Sequence, residues 1–338
     1  MDRHHERERR CHGNPPFAAW MRRPSPACCE YRYSYLLSAK GKRQTSVTWR
    51  KPMAQTLGNA TGVRDLTSAE IETFHRDGVV HLEALADATT CARLLAAADR
   101  RLEDFRKEKP GEFANNLAKD GTFLSERECY KQDPVFNDFC MTSRMAAIAG
   151  QALRSQEVRF YFDHLFMLDK DCAKDSYYWH QDMPYWGCGG TQICSFWLAL
   201  TPCSVDSGAL EFVKGSDKGR LYLPSAFGDA ASERFATETE KTPEYHRQRD
   251  VYDIASWDIQ VGDGLLFNAR IMHSSRGNHS KTQRRVAYST RWIGDDAVFE
   301  PKRGFQDPIT YPEEGFPAGE KLSRSSRFPL LWKSGDLA

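Results

Sequence analysis

Between residues 66 and 150 the apolar positions recur at helical spacing, and beyond Gly150 they alternate instead. Thr67-Ser68-Ala69-Glu70 has the form of a capping box, in which the threonine and glutamate side chains each satisfy a free backbone N–H at a helix start. Ile71 and Phe74 give that helix an apolar stripe, and Asp77-Gly78 ends it. Val79-Val80-His81-Leu82 reads as a short strand. Cys91, Leu94, Leu95, Ala98, Leu102 and Phe105 predict a second helix over 90–107, stopped by Pro110-Gly111. A third helix is predicted from Asp133-Pro134 through Phe136, Phe139, Cys140 and Ile148 to Gly150.

Val158, Phe160 and Phe162 then alternate with Arg159, Tyr161 and Asp163, the period of a strand. Further β runs fall at 192–200, 209–213, 251–257, 264–267 and 286–293, with turn-forming Gly, Pro, Asp and Ser between them. Helices followed by six or more strands imply a mainly β domain over 61–338, an antiparallel sandwich or barrel buttressed by flanking helices. The stretch 214–250 is polar, lacks a period and reads as a mobile loop near a site. There is no internal repeat.

Residues 1–52 carry twelve Lys and Arg against four acidic residues, in a mixture that cannot bury a core. They predict a disordered basic tail extending to about residue 60, with Met53 opening the protein proper. Asp2, Glu6, Glu8 and the prolines at 15, 16, 24 and 26 argue against a mitochondrial leader. Over all 338 residues the formal charge is only +1, so nothing calls for nucleic acid or an anionic membrane as partner. No apolar run approaches the roughly 20 residues a membrane-spanning helix needs, and no signal peptide is expected. The final Gly335-Asp336-Leu337-Ala338 is not a peroxisomal address, which leaves cytoplasm as the expected compartment. Ten cysteines without a CxxC read as reduced, mostly buried thiols rather than as a disulfide framework or zinc knuckle.

The chemistry concentrates in His180-Gln181-Asp182, followed by His273 and Arg284. Two imidazoles and one carboxylate can hold a divalent metal on one face and leave the opposite positions open, the cage of non-haem Fe(II) oxygenases. On an extended backbone His180 and Asp182 share a face while Gln181 points away. Arg284 suits the carboxylate of an organic co-substrate, because its planar fork binds two oxygens at once and stays charged. His75, His81, His164, His246 and His279 read as ordinary core or surface histidines.

The surroundings of this set resemble the phytanoyl-CoA dioxygenase (PhyH-like) family of Fe(II)/2-oxoglutarate-dependent oxygenases, over about 66–293. The resemblance rests on Phe74-His75-Arg76-Asp77-Gly78-Val79-Val80, Trp179-His180-Gln181-Asp182, Trp197, and Gly208-Ala209-Leu210-Glu211-Phe212-Val213-Lys214-Gly215-Ser216. It continues through Gly262-Asp263-Gly264-Leu265-Leu266-Phe267, His273-Ser274-Ser275, Asn278, Ser280 and Arg284-Arg285. It implies a double-stranded β-helix, the cupin-like jelly roll, with iron held by His180, Asp182 and His273. It also implies 2-oxoglutarate as co-substrate, chelating the iron and reaching Arg284 with its far carboxylate. Ser275 would add a hydroxyl there, Trp197 and Phe166 would line the cofactor pocket, and ascorbate would serve as accessory reductant. Arg285 competes for the carboxylate, but alternation is expected to send it to the other face. Arg127 or Lys131 would replace a lysine that some relatives place upstream of the third helix.

The reaction so implied uses O2 to hydroxylate an unactivated C–H bond of a small organic molecule, with succinate and CO2 as co-products. Related halogenases carry a small residue where Asp182 stands. Tyr161, Asp163, Tyr178, Tyr185, Trp186 and Trp292 are candidate pocket residues, and Arg159, Arg276 and Arg291 are surface or substrate-side cations. Nothing reads as a coenzyme A site, and the oligomeric state is not written in the sequence. Two other classes compete: a catalytically silent metal-binding protein of the same fold, and a cupin-like non-oxygenase metalloenzyme. Zinc accepts the same ligands, but it gives the arginine no purpose.

Overall fold

The computed structural model describes residues 62–107, 122–172, 178–222, 242–301 and 315–335. The expected tail before residue 61, and the part of the expected loop over 223–241, lie outside these residues. In chain order the elements are α1 (Ser68–Asp77), β1 (Val79–Leu82), α2 (Ala88–Lys107), β2 (Phe123–Arg127), α3 (Pro134–Thr142), α4 (Met145–Leu153) and β3 (Glu157–Leu168). They continue with β4 (Cys188–Gly189), β5 (Ile193–Ala199), β6 (Leu210–Val213), β7 (Ile254–Ala255), β8 (Gly264–Asn268) and β9 (His273–Ser275). Last come β10 (Arg285–Ile293), β11 (Val298–Phe299) and β12 (Leu330–Lys333).

Local chemistry sets the helix limits. Thr67 Oγ1 accepts the Glu70 N–H at 3.2 Å, and Glu70 Oε2 accepts the Thr67 N–H at 2.7 Å, so both halves of the capping box form. Gly78 ends α1 at φ 79°, and its N–H donates to the Phe74 carbonyl at 2.8 Å. Asp133 caps α3 by accepting the Val135 N–H, with Pro134 in the first turn. The helix predicted to run unbroken to Gly150 is two helices: Ser143 turns extended, at ψ 167°, and α4 starts afresh at Met145. Neither glycine nor proline marks that break, so the sequence carries no punctuation for it. α4 is buried along almost its whole circumference, as a helix between a sheet and other helices must be.

The strands form two antiparallel sheets that face one another. The larger runs β1-β8-β5-β10-β3-β12, with β2 also paired to β3, and the smaller is β7-β6-β9; β4 and β11 form a separate pair. β10 lies centrally in the larger sheet, paired to β5 and β3 over its length. On one side Val286, Tyr288 and Trp292 join Leu94, Ala98, Phe136, Phe139 and Ile148 of the helices in one apolar core. On the other side Ala287 packs with Trp197 and Phe267 of the larger sheet and with Phe212 of the smaller. This is the expected jelly roll, mainly β with helices against one outer face. β2 and β12 were not foreseen, and of 251–257 only Ile254–Ala255 is strand. Seven cysteines among the described residues, from Cys91 to Cys203, are buried and unpaired. Among those residues no helix is long and apolar enough to cross a membrane.

Candidate metal centre and active site

His180 and His273 are brought together by backbone pairing rather than by a shared strand. The His180 N–H donates to the His273 carbonyl at 3.0 Å, and the His273 N–H donates back at 2.9 Å. Asp182 lies just past the bridge, at φ −72° and ψ −40°, where the chain turns into one 3-10 turn over Met183–Tyr185. The chain therefore coils where an extended segment was expected, yet the carboxylate still reaches the imidazoles. Ligand atoms of His180, Asp182 and His273 all fall within 4.8 Å of one another. Asp182 Oδ1 is 3.9 Å from Nε2 of each histidine.

Three details show that these side chains fit a divalent metal. His180 Nδ1 donates to the Tyr178 carbonyl at 3.2 Å and His273 Nδ1 to the Ile271 carbonyl at 3.1 Å, which leaves each Nε2 with its lone pair toward the cluster. Burial, reinforced by the neighbouring His273, pulls the His180 pKa down to about 4 against the opposing pull of Asp182, so its imidazole is neutral at pH 7. Asp182 Oδ2 is buried with no hydrogen-bond partner, an arrangement that a buried carboxylate oxygen rarely tolerates without a ligand. Gln181 does point away, and it is itself buried. Its amide nitrogen donates to the carbonyls of Arg220 (3.1 Å) and Arg270 (2.7 Å), and its oxygen accepts the Tyr222 N–H at 2.9 Å.

The two adjacent arginines sit opposite to expectation. Alternation does separate them, but Arg284 lies on the helix side, where Nη1 meets Asp99 of α2 at 2.6 Å with both side chains partly exposed. Arg285 opens β10 on the barrel side and is only 6% exposed. Its guanidinium lies 5.8 Å from the Trp197 ring, and Gly208 stands so close that a Cβ there would meet Nε at 3.2 Å. No described carboxylate pairs with it, and Nε is buried without a partner. Burial pulls its pKa down to about 10, which still leaves it charged at neutral pH. The reversal has a physical cause. Both faces of β10 are buried, so hydrophobic alternation cannot mark the inside, and the bulky Val286, Tyr288 and Trp292 belong to the helix core.

The other sequence candidates divide in the same way. Trp197 is buried beside Arg285. Ser275 Oγ lies 3.4 Å from the Gly208 carbonyl and accepts the Gly277 N–H at 3.2 Å. Phe166 stacks on His164 with ring centroids 3.8 Å apart. Tyr178 stacks on His180 at 4.8 Å, and its hydroxyl meets that of Tyr185. Asp163 and Trp292 face the helices, so they do not line the barrel. Arg159 donates to the Phe328 carbonyl, Arg276 pairs with Glu211, and Lys131 pairs with Glu128. Strand register brings His164 opposite Ser289 and Ser195 opposite Arg291 on the barrel side, a placement that depends on pairing partners and so has no signal in the local sequence.

The profile of the family described as phytanoyl-CoA dioxygenase (PhyH) matches residues 74–286. The ectoine dioxygenase of Nocardia farcinica (strain IFM 10152) is 24% identical over 229 residues, covering 63% of this chain and 74% of that protein. Among solved structures, the non-heme α-ketoglutarate dependent carbocyclase SnoK from nogalamycin biosynthesis matches with a TM-score of 0.60 at 18% identity, covering 81% of this chain and 100% of that one. EctD from S. alaskensis with 2-oxoglutarate and 5-hydroxyectoine gives 0.56 at 21% identity, covering 78% and 88%. The structural likenesses establish the jelly roll, and the family match spans most of the chain, including His180, Asp182 and His273. The protein therefore belongs to the phytanoyl-CoA dioxygenase (PhyH) family of Fe(II)/2-oxoglutarate-dependent oxygenases.

Proposed function

We propose that His180, Asp182 and His273 hold Fe(II), that Arg285 receives the far carboxylate of 2-oxoglutarate, and that the protein hydroxylates an unactivated C–H bond of a small organic molecule. One observation carries the reading: a metal-shaped His-Asp-His cluster and a buried arginine without a described counter-charge occur in the same jelly roll. An unpaired buried charge costs several kcal/mol, so a fold that retains one has a use for it. A catalytically silent scaffold would not, and neither would a zinc hydrolase.

When bound, Fe(II) with 2-oxoglutarate supplies oxidative decarboxylation coupled to O2-dependent C–H cleavage. The residues present supply the rest. The carbonyls of Tyr178 and Ile271 lock both imidazole tautomers. Arg285, held between Trp197 and the Gly208 backbone, offers a fixed fork in place of a mobile lysine. Asp182 occupies the carboxylate position, which supports hydroxylation. The relatives include a carbocyclase and an epimerase, so how the target carbon is seated decides the product. The ectoine dioxygenase likeness supports a small molecule over an acyl-CoA.

Anaerobic addition of Fe(II) and 2-oxoglutarate is expected to give the weak visible charge-transfer band of the chelate, and admission of O2 to give succinate. His180→Ala is expected to lose iron and band together. Absence of both band and 2-oxoglutarate-dependent succinate in the unmutated protein refutes the assignment.

A further inference from the structure

Arg285 is not the only arginine on the barrel side of β10. Positions 285, 287, 289, 291 and 293 share that side, and Arg291 is as deeply buried as Arg285, at 4% exposure. Its cross-strand partners are Phe162 on β3 and Ser195 on β5, while Ser289 stands opposite His164 and Trp197. The Arg291 guanidinium lies over the Phe162 ring at 4.7 Å and near Trp186 at 5.8 Å. Both rings belong to an aromatic cluster with Tyr161 and Tyr185, and the Tyr185 ring meets His180 edge-on at 6.1 Å.

Arg291 therefore lies on the metal-ligand side. Arg285 lies six residues away along the strand and acts on a different neighbourhood, near Cys172 and Cys203. At roughly 3.3 Å per strand residue, six residues separate the two arginines by more than the length of one 2-oxoglutarate. One co-substrate molecule cannot engage both. Beside Arg291, the hydroxyls of Ser195 and Ser289 are buried and have no hydrogen-bond partner. A guanidinium with spare hydroxyl donors, set in aromatic walls next to the metal ligands, matches a carboxylate on an apolar body.

We propose that Arg291, with Ser195 and Ser289, is the substrate-recognition site of this enzyme, and that the substrate is a small aromatic or alicyclic carboxylate docked by its acid group. This rests on the oxygenase reading of His180, Asp182 and His273. Arg291 positions the substrate and takes no part in bond breaking. The charge is set among aromatic faces that hold it by cation–π attraction, and its N–H groups donate to the carboxylate oxygens beside the bond that Nη1 makes to the Ser289 carbonyl at 3.4 Å.

The test uses the anaerobic protein loaded with Fe(II) and 2-oxoglutarate, titrated with benzoate, phenylacetate and 3-phenylpropionate and with the amide of each. Binding is read from the shift of the charge-transfer band. At least one acid is expected to bind tenfold or more tightly than its amide. Arg291→Gln is expected to erase that preference, Arg291→Lys to keep part of it, and both to leave 2-oxoglutarate affinity within twofold. Acids and amides binding alike to the unmutated protein would overturn the proposal, whatever the stability of the variants. So would a preference that survives in folded Arg291→Gln, or a large loss of 2-oxoglutarate affinity in that variant. If the unmutated protein shows no charge-transfer band, the oxygenase reading fails by itself. The acid–amide comparison, repeated by thermal shift on metal-free protein, then still decides the anion site.

Discussion

On the helix side of β10, Val286, Tyr288 and Trp292 sit in an apolar core with α2, α3 and α4, whereas on the barrel side Arg285, Ser289 and Arg291 bring charge and hydroxyls to equal depth. The helix side makes most of its hydrogen bonds internally, although Asp163 Oδ1 is buried without a partner. The Tyr288 hydroxyl donates to Asp163, which also accepts the Tyr130 N–H at 2.9 Å, and the Cys140 sulfur lies 3.1 Å from the same hydroxyl. Trp292 Nε1 donates to Thr290 at 3.0 Å. The barrel side leaves Arg285 Nε, Ser289 Oγ and Ser195 Oγ without hydrogen-bond partners. Two surfaces of one strand, equally hidden from water, thus differ in polarity. The first is an apolar core around one buried carboxyl, and the second sets charge and hydroxyls where groups from outside can meet them.

That contrast is broken or sharpened by four substitutions. The largest effect is expected at Arg285. Arg285→Met should weaken 2-oxoglutarate by roughly 2–5 kcal/mol, the cost of truncating one partner of a buried charge pair. It should also raise the melting temperature of the metal-free protein, because an uncompensated buried charge disappears. Calorimetric titration and thermal melts measure the two, and a variant that loses both affinity and stability would make Arg285 an ordinary core residue. Next, Tyr288→Phe removes the donor to a buried carboxyl and should cost about 1–3 kcal/mol in denaturant melts. Its 2-oxoglutarate affinity should not change; a fall would mean that the two faces are coupled.

A smaller effect is expected from Asp163. Burial pushes its pKa up to about 7 from an ordinary 3.8, opposed by its hydrogen bonds from Tyr288 and Tyr130. The folded state therefore binds a proton that the unfolded chain releases between about pH 4 and 7. The contribution of this group to stability is complete below pH 4 and is lost as pH rises through 7. Asp163→Asn mimics the protonated acid and should flatten that part of the stability profile. An unchanged slope would show that another group titrates there. The smallest effect is expected at Arg284. Its ion pair with Asp99 is half exposed, so Arg284→Ala should cost no more than about 1 kcal/mol and leave 2-oxoglutarate binding unaltered. Loss of 2-oxoglutarate here with retention in Arg285→Met would restore the original reading of the sequence.

The difference between these arginines also marks how far the sequence could be read. α1 was legible to the residue because its start and stop are local: Thr67, Glu70 and Gly78 act on backbone within four positions. The metal set was legible because His180, Asp182 and His273 carry a donor combination that few other roles require. The inward face of β10 was not. Its orientation depends on which neighbour strands and helices cover it, and both covers are apolar. β2 escaped notice because Ser125, Glu126 and Arg127 look solvent-facing, although Glu126 is buried against Arg101 of α2. The break between α3 and α4 is likewise set by packing rather than by its own residues.

Gln181, wedged between two of the metal ligands, bears on the choice of ion. Its three hydrogen bonds join the ligand turn to the chain at 220–222 and at 270, so the turn is braced from the side opposite the cluster. Bracing of this kind would limit how far the cluster adjusts to its occupant. Cations of similar radius meet the same preset donors, and intrinsic affinity would then favour copper or zinc over ferrous iron. Such a site would take its ion according to availability more than through any accommodation by the protein.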